Sequence, residues 1–203
     1  MVMDTKTRRS PLGLMILSML HLEPTHAYRM QKLLIQWGKD RVVNVRQRAS
    51  VYQTLDRLLR LRLIEVRETV KTESHPDRIL YAITLKGREK ARAWLREMLT
   101  TVGSEFPEFP AAVSVLTMLP PEEVRRDFEI RSAALAKELD RLEAERREAG
   151  KLPRLFLLEN DYRTVLVTAE LRWLASVIAG FDNGSLGWDA KMLRDVADTF
   201  KPV

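Results

Sequence analysis

Residues Arg46 to Ile64, RQRASVYQTLDRLLRLRLI, decide how the chain is read. At about 100° per residue, Val51, Tyr52, Leu55, Leu58 and Leu59 gather on one arc of a helix expected to begin near Arg48. The opposite arc holds Ser50, Gln53, Thr54, Arg57 and Arg60. Gln, Ser and Thr can bond base edges or phosphates and Arg can do both, so this is the face a duplex-reading helix presents. Ser50 is placed as the N-cap, where free backbone N–H groups would also meet a phosphate. Arg46 and Arg48, with Arg41, sit where a DNA backbone would flank an inserted helix. A helix with arginines outside is more often simply solvated, so its neighbours must choose between the two readings.

Upstream, Ser10-Pro11 opens a helix: Ser caps it, and Pro at the first position has no N–H to leave unpaired. The segment to about His21 is apolar nearly all round, as a helix buried in a small domain must be. Glu23-Pro24 breaks it. Thr25 is expected to cap a second helix carrying Tyr28, Met30, Leu33, Leu34 and Trp37, which Gly38 ends. Val42, Val43 and Val45 predict a short strand. Downstream, Leu63–Val66 and Ile79–Ile83 predict two paired strands joined by a polar loop, Val70–Arg78. Three helices and a hairpin are the winged helix-turn-helix order. In it, Arg46 and Arg48 serve phosphates, and Ser50, Gln53, Thr54 and Arg57 reach base edges. Lys71, His75 and Arg78 of the wing reach the adjacent backbone or minor groove, while the Tyr52 ring is assigned to the core.

Thr84-Leu85-Lys86-Gly87 begins a further helix to about Thr101, with Ala91, Trp94, Leu95, Met98 and Leu99 at helical spacing. The two prolines in Gly103–Pro110 cannot continue it, which sets the domains at 1–103 and 104–203. A short helix, Ala111–Met118, follows. Glu122 and Glu123 suit the first turn of a long helix to about Ala149, whose apolar seam is thin: Val124, Phe128, Leu135, Leu139 and Leu142. Such a seam fits packing against one or two other helices. A richer apolar helix returns over about Leu157–Phe181, and Asp189 caps a last one to Phe200. The fold class is therefore mainly α with a small β-hairpin wing. A winged helix-turn-helix domain is followed by an antiparallel helical, coiled-coil-like dimerisation domain.

Composition narrows the function classes. With no cysteine among 203 residues, disulfides, thiolate zinc sites and thiol nucleophiles are excluded. The net charge of +6 is split as +10 over residues 1–103 and −4 over 104–203, so the first half is the part that meets a polyanion. No apolar run approaches the roughly 18 residues a membrane-spanning helix needs. LGLMILSML has the length of a signal-peptide core but no small-residue cleavage pattern follows, so a cytoplasmic protein is expected. His21, His26 and His75 have no ligand spacing, and neither metal nor cofactor is expected. A Gly-rich phosphate loop, G-x-S-x-G and H-E-x-x-H are all missing, and the acidic pairs Glu122/Glu123 and Glu143/Glu145 lie on charged faces. The chain does not read as an enzyme.

In its N-terminal half the chain resembles the PadR family of bacterial transcription regulators. The likeness lies in Leu12-Gly13, the turn Glu23-Pro24-Thr25-His26-Ala27-Tyr28, Ser50–Leu58 (SVYQTLDRL), Leu63-Ile64 and Tyr81–Gly87 (YAITLKG), in order and at winged-helix spacing. It departs where the family often has Gly (Ala27, Arg62) or Pro (Gln53). Arg62 matters most, since a position needing positive φ would strain Arg. The resemblance implies a homodimeric transcription factor, commonly a repressor, on an imperfect inverted repeat of double-stranded DNA. It also implies dimerisation through C-terminal helices and, in some members, release by a small aromatic effector. Trp94 and Trp173 are candidate effector-binding residues, although packing alone explains both better. The alternative is a winged-helix protein–protein interaction module whose C-terminal helices bind a partner protein.

Overall fold

Helix α1 (Pro11–Leu22) starts as its first residues dictate, with Ser10 Oγ accepting the Gly13 N–H at 3.0 Å and proline at the first position. It is the central rod of the first of two units, residues 1–104 and 105–203. The computed structural model describes residues 9–45, 47–72, 75–102 and 107–199, and its description omits the side chains of Arg48, 69–72 and 75–78. Ile16, Leu17 and Leu20 of α1 are buried against Met30, Leu34, Leu55, Leu58 and Trp94 from the other helices of this unit.

Beyond Pro24 the chain departs from its expected course. Thr25 is no helix cap. Thr25 and His26 form a two-residue strand, β1, paired antiparallel with β3 (His75–Ile83) through Thr25↔Tyr81 and His26↔Leu80. The His26 ring joins it by Nδ1, 2.9 Å from the Ile79 carbonyl. Pairing satisfies backbone groups that a cap would otherwise have to serve, and α2 (Ala27–Gln36) starts with no side-chain cap at all. Gly38, at φ +66, ends it. The expected strand at Val42–Val45 is also corrected: a 3-10 turn (Lys39–Arg41) leads into irregular chain, with Val43 and Val45 buried as core plugs. Their β-branched character reflects burial, with no ladder partner among the described residues.

Helix α3 (Arg48–Arg60) then leads into β2 (Ile64–Thr72), and the sheet order is β1-β3-β2. The wing strands run on into the polar stretch expected as a loop, pairing as far as Thr72↔His75 with register shifts at Val66/Glu68 and Val70/Thr72. Backbone ladders do not require apolar side chains, so composition underestimates their length. The α3–β2 corner is tight. The Arg62 N–H donates to the Leu59 carbonyl (2.8 Å) and the Leu63 N–H to the Leu58 carbonyl (2.9 Å), the paired closure of a left-handed helix end. Arg62 stands at φ +57, the one non-glycine with positive φ among the described residues. Thr84 Oγ1 donates to the Arg62 carbonyl and accepts the Gly87 N–H, tying this corner to the start of α4 (Leu85–Thr100). A Cβ on Gly87 would lie 1.9 Å from the Leu63 carbonyl oxygen, so only glycine permits that approach.

The second unit comprises α5 (Glu108–Val113), a 3-10 turn (Leu116–Met118), α6 (Pro121–Glu148), α7 (Leu158–Asp182) and α8 (Ala190–Thr199). Pro110 lies inside the first turn of α5, where its missing N–H costs nothing, so the helix starts earlier than expected. Helices α6 and α7 are antiparallel. Their ion pairs run Arg125–Asp182 (2.6 Å), Arg131–Glu170 (2.5 Å), Glu138–Arg163 (2.6 Å) and Arg146–Asp161 (2.9 Å), one helix rising as the other falls. Val124, Phe128 and Leu174 form the buried centre, extended by edge-to-face rings of Phe109, Phe128 and Trp173.

One expectation about α7 needs correction. The stretch 154–182 is, by length and composition, apolar enough to cross a membrane, with mean hydropathy 1.4 over 18 residues. Glu170 and Arg172 interrupt it, which is why no unbroken apolar run shows in the sequence. Glu170 is ion-paired to Arg131 on the highly charged α6, and taking that pair of helices into hydrocarbon would be costly. Within the unit, Leu174 is the one buried residue of α7.

Candidate nucleic-acid interface

Helix α3 turns Val51, Leu55 and Leu58 into the core, each no more than 1% exposed. The direction opposite these runs through Gln53 and Arg60, which are exposed. The polar stripe read from the sequence is rotated off that axis, so Ser50, Thr54 and Arg57 are only half-exposed. On the other flank Tyr52 is 46% exposed, which corrects its assignment to the core. It lies about a quarter-turn from the centre of the buried arc, a signal the helical wheel contained. Ser50 is likewise not the N-cap: Gln47 holds that position without a side-chain bond, and Ser50 lies in the first turn.

Ser50, Gln53, Thr54 and Arg57 come together along one groove, a cavity of about 440 Å³. Its other wall is the start of α1 (Ser10–Leu12) and the chain from Val42 to Asn44. The Thr54 hydroxyl donates to the Ser50 carbonyl at 2.7 Å, leaving it only acceptor capacity towards a ligand. Ser10 and Asn44 had no signal in the sequence, because α1 and the 42–44 chain meet α3 only through packing. Arg46 lies outside the described residues. Arg48 is the first residue of α3, Lys71 is on β2, and His75 and Arg78 are on β3; their side chains are outside the description.

The two effector candidates fall in different units. Trp94 is fully buried in the core of the first, and its Nε1 has no partner among the described residues. Trp173 belongs to the ring cluster of the second. Behind α3, burial and then the nearby Asp56 carboxylate and Tyr52 phenol hold the Tyr81 phenol above its ordinary value, so it stays neutral. Arg125 and Arg141 are shifted up by hydrogen bonds to Asp182 and Glu138, partners in surface ion pairs. Among the described residues no three His, Asp or Glu side chains could hold a metal.

Residues 16–93, which span α3 and the wing, match the transcriptional regulator PadR-like family. That match covers 78 of the 203 residues, those of the winged-helix unit. The PadR-like winged helix and the helices after it are also similar in fold to solved structures. Bacillus subtilis PadR in complex with operator DNA superposes with a TM-score of 0.68 at 17% identity, covering 85% of this chain and 99% of that one. The same protein in complex with p-coumaric acid gives 0.67 at 17% identity, covering 84% and 98%. The Vibrio cholerae virulence activator AphA gives 0.67 at 18%, covering 85% and 98%. At these identities the likeness is one of fold. No curated protein matches the chain in sequence. The winged-helix unit thus matches the PadR-like transcriptional regulators, and the chain shares their fold.

Proposed function

We propose that this regulator is a repressor that binds an inverted-repeat operator as a homodimer in the cytoplasm and leaves it when a small aromatic effector binds. The observation that carries the reading is the outward face of α3. Gln53 and Arg57 stand beside an open groove on the half of the chain that carries +10. Gln and Arg are the side chains suited to bidentate contacts with adenine and guanine edges. Paired recognition helices would enter successive major grooves about 34 Å apart on one face of the duplex. The wing strands, with Lys71, His75 and Arg78, would follow the flanking backbone.

Pairing is supported by what a single copy leaves uncovered. Ile130, Leu155, Phe156, Tyr162 and Val165, on α6, α7 and the turn between them, are each more than 60% exposed, large apolar side chains that a second copy could cover. Release by an aromatic compound is supported by the similar fold solved with p-coumaric acid. The similar fold named as an activator makes the sign of control a point for direct test.

The test is fluorescence anisotropy with duplexes tiled from the region upstream of the gene, then a footprint on the one bound. Replacing Arg48, Gln53 and Arg57 together by Ala should weaken operator binding by at least about thirtyfold, since one good bidentate base contact alone is worth about 1–3 kcal/mol. Unchanged affinity would dismiss α3 as the reading helix. A transcription assay with the bound promoter then fixes the sign.

A further inference from the structure

We propose that the second unit carries its own binding site for a small, planar, apolar amine, in the cavity enclosed by α5, the 3-10 turn after it and the start of α6. The cavity holds about 460 Å³, within the range of small-molecule pockets. Its floor is Val124 and Phe128, nearly or fully buried, and its walls include Phe109 and Leu116. Phe128 meets Phe109 edge-to-face at 6.1 Å and is backed by Trp173 at 5.7 Å, so the aromatic lining is held rigid. The Trp188 indole N–H donates to the Leu119 carbonyl at 3.1 Å and fixes the chain that forms the rim.

Charge selects the ligand. Two ionised side chains line the cavity, Asp127 and Arg131. The Arg131 guanidinium is already committed: it lies 3.5 Å from the Phe109 ring centroid, and its Nε donates to Glu170 at 2.5 Å. Asp127, one turn earlier on α6, is exposed and has no hydrogen bond or ion pair among the described residues. The uncompensated charge lining the cavity is therefore negative, beside the apolar Phe128 ring. An ammonium group would meet Asp127 while its ring system filled the apolar floor. A carboxylate would face Asp127 and would have to take Arg131 from Glu170. The inference rests on the effector-controlled reading for its consequence, but the binding step needs no DNA.

The experiment is calorimetric titration of the full chain, without DNA, with 2-naphthylmethylammonium and with its isostere of opposite charge, 2-naphthoate. The amine should bind at least tenfold more tightly than the acid. Asp127→Asn should remove most of that preference, and Ala112→Trp, which puts an indole into the cavity from α5, should abolish binding of both. Equal binding of the two probes, or no binding, overturns the proposal. So does amine binding that Asp127→Asn or Ala112→Trp leaves unchanged, or binding that appears only on dilution to monomer, which would mean a second copy fills the cavity. Operator affinity measured separately keeps the two readings apart: amine binding can fail while DNA binding stands, and the reverse.

Discussion

Replacing Arg62 by Gly should stabilise the protein by about 0.5–1 kcal/mol. Arg62 sits at φ +57, where its Cβ crowds the following carbonyl, and a left-handed L-residue costs roughly 1–2 kcal/mol. The strain persists because the corner is closed on both sides. The N–H groups of Arg62 and Leu63 both close the end of α3, and the Arg62 carbonyl accepts from Thr84 Oγ1 at 2.9 Å. Glycine keeps all three bonds and removes the clash. Its freer unfolded chain returns roughly 0.4–1 kcal/mol of the gain. The side chain adds little against this, since it is exposed and its guanidinium has no hydrogen bond or ion pair among the described residues. Thermal unfolding followed by circular dichroism should show Tm raised by about 1–4 °C, with the urea m-value unchanged. Arg62→Ala is the control: it discards the side chain but keeps the Cβ, and should not stabilise. A destabilised glycine variant, or an alanine variant as stable as the glycine one, would refute the reasoning.

Four further outcomes are expected. Gly87→Ala should destabilise by about 3 kcal/mol or more, at or beyond the upper end of overpacking, because its Cβ meets the Leu63 carbonyl oxygen at 1.9 Å; a lowered urea midpoint reads it. Tyr81→Phe should flatten the alkaline limb of stability. The phenol's folded-state pKa lies above the ordinary 10.0, so its contribution is whole below pH 10, falls as pH rises further, and is lost once the folded value is passed. The difference between wild-type and variant Tm over pH 9–11 checks this, with up to about 1.4 kcal/mol per pH unit available. For DNA, Lys71→Ala should lower the log–log salt slope by about 0.9 on every duplex alike. Arg57→Ala should instead shrink the preference for the operator over a random duplex, and competition anisotropy at several salt concentrations separates the two effects.

What was legible in the chain was local. Ser10 caps its helix as read, a helix starts at Thr84 as read, and Met192 N–H donates to Asp189 Oδ1 at 2.7 Å at the start of the last helix. In each case the side chain and its partner lie within three residues, so nothing distant can overrule them. The apolar arc Val51–Leu55–Leu58 was equally readable, because a period of 3.6 residues is written into the spacing itself. The misreadings are of another kind. Thr25 became a strand only because the edge of β3 lies beside it, and Val42–Val45 lost their strand because nothing does. Tyr52 sits at the margin of an arc, where the width of the buried face depends on what packs against it.

The site divides in the same way. Sequence alone determined that Ser50, Gln53, Thr54 and Arg57 share one side of one helix, and that the positive charge lies in the same half of the chain. Only the tertiary structure decided that Ser10 and Asn44 stand opposite them across a groove, that Trp94 is spent on the core, and that Asp127 has no ion pair among the described residues where it lines an aromatic cavity. Helical period and capping act over a few residues and are carried by the order of the letters. Which faces are covered depends on contacts between segments far apart in the chain, and those exist only once the units have packed.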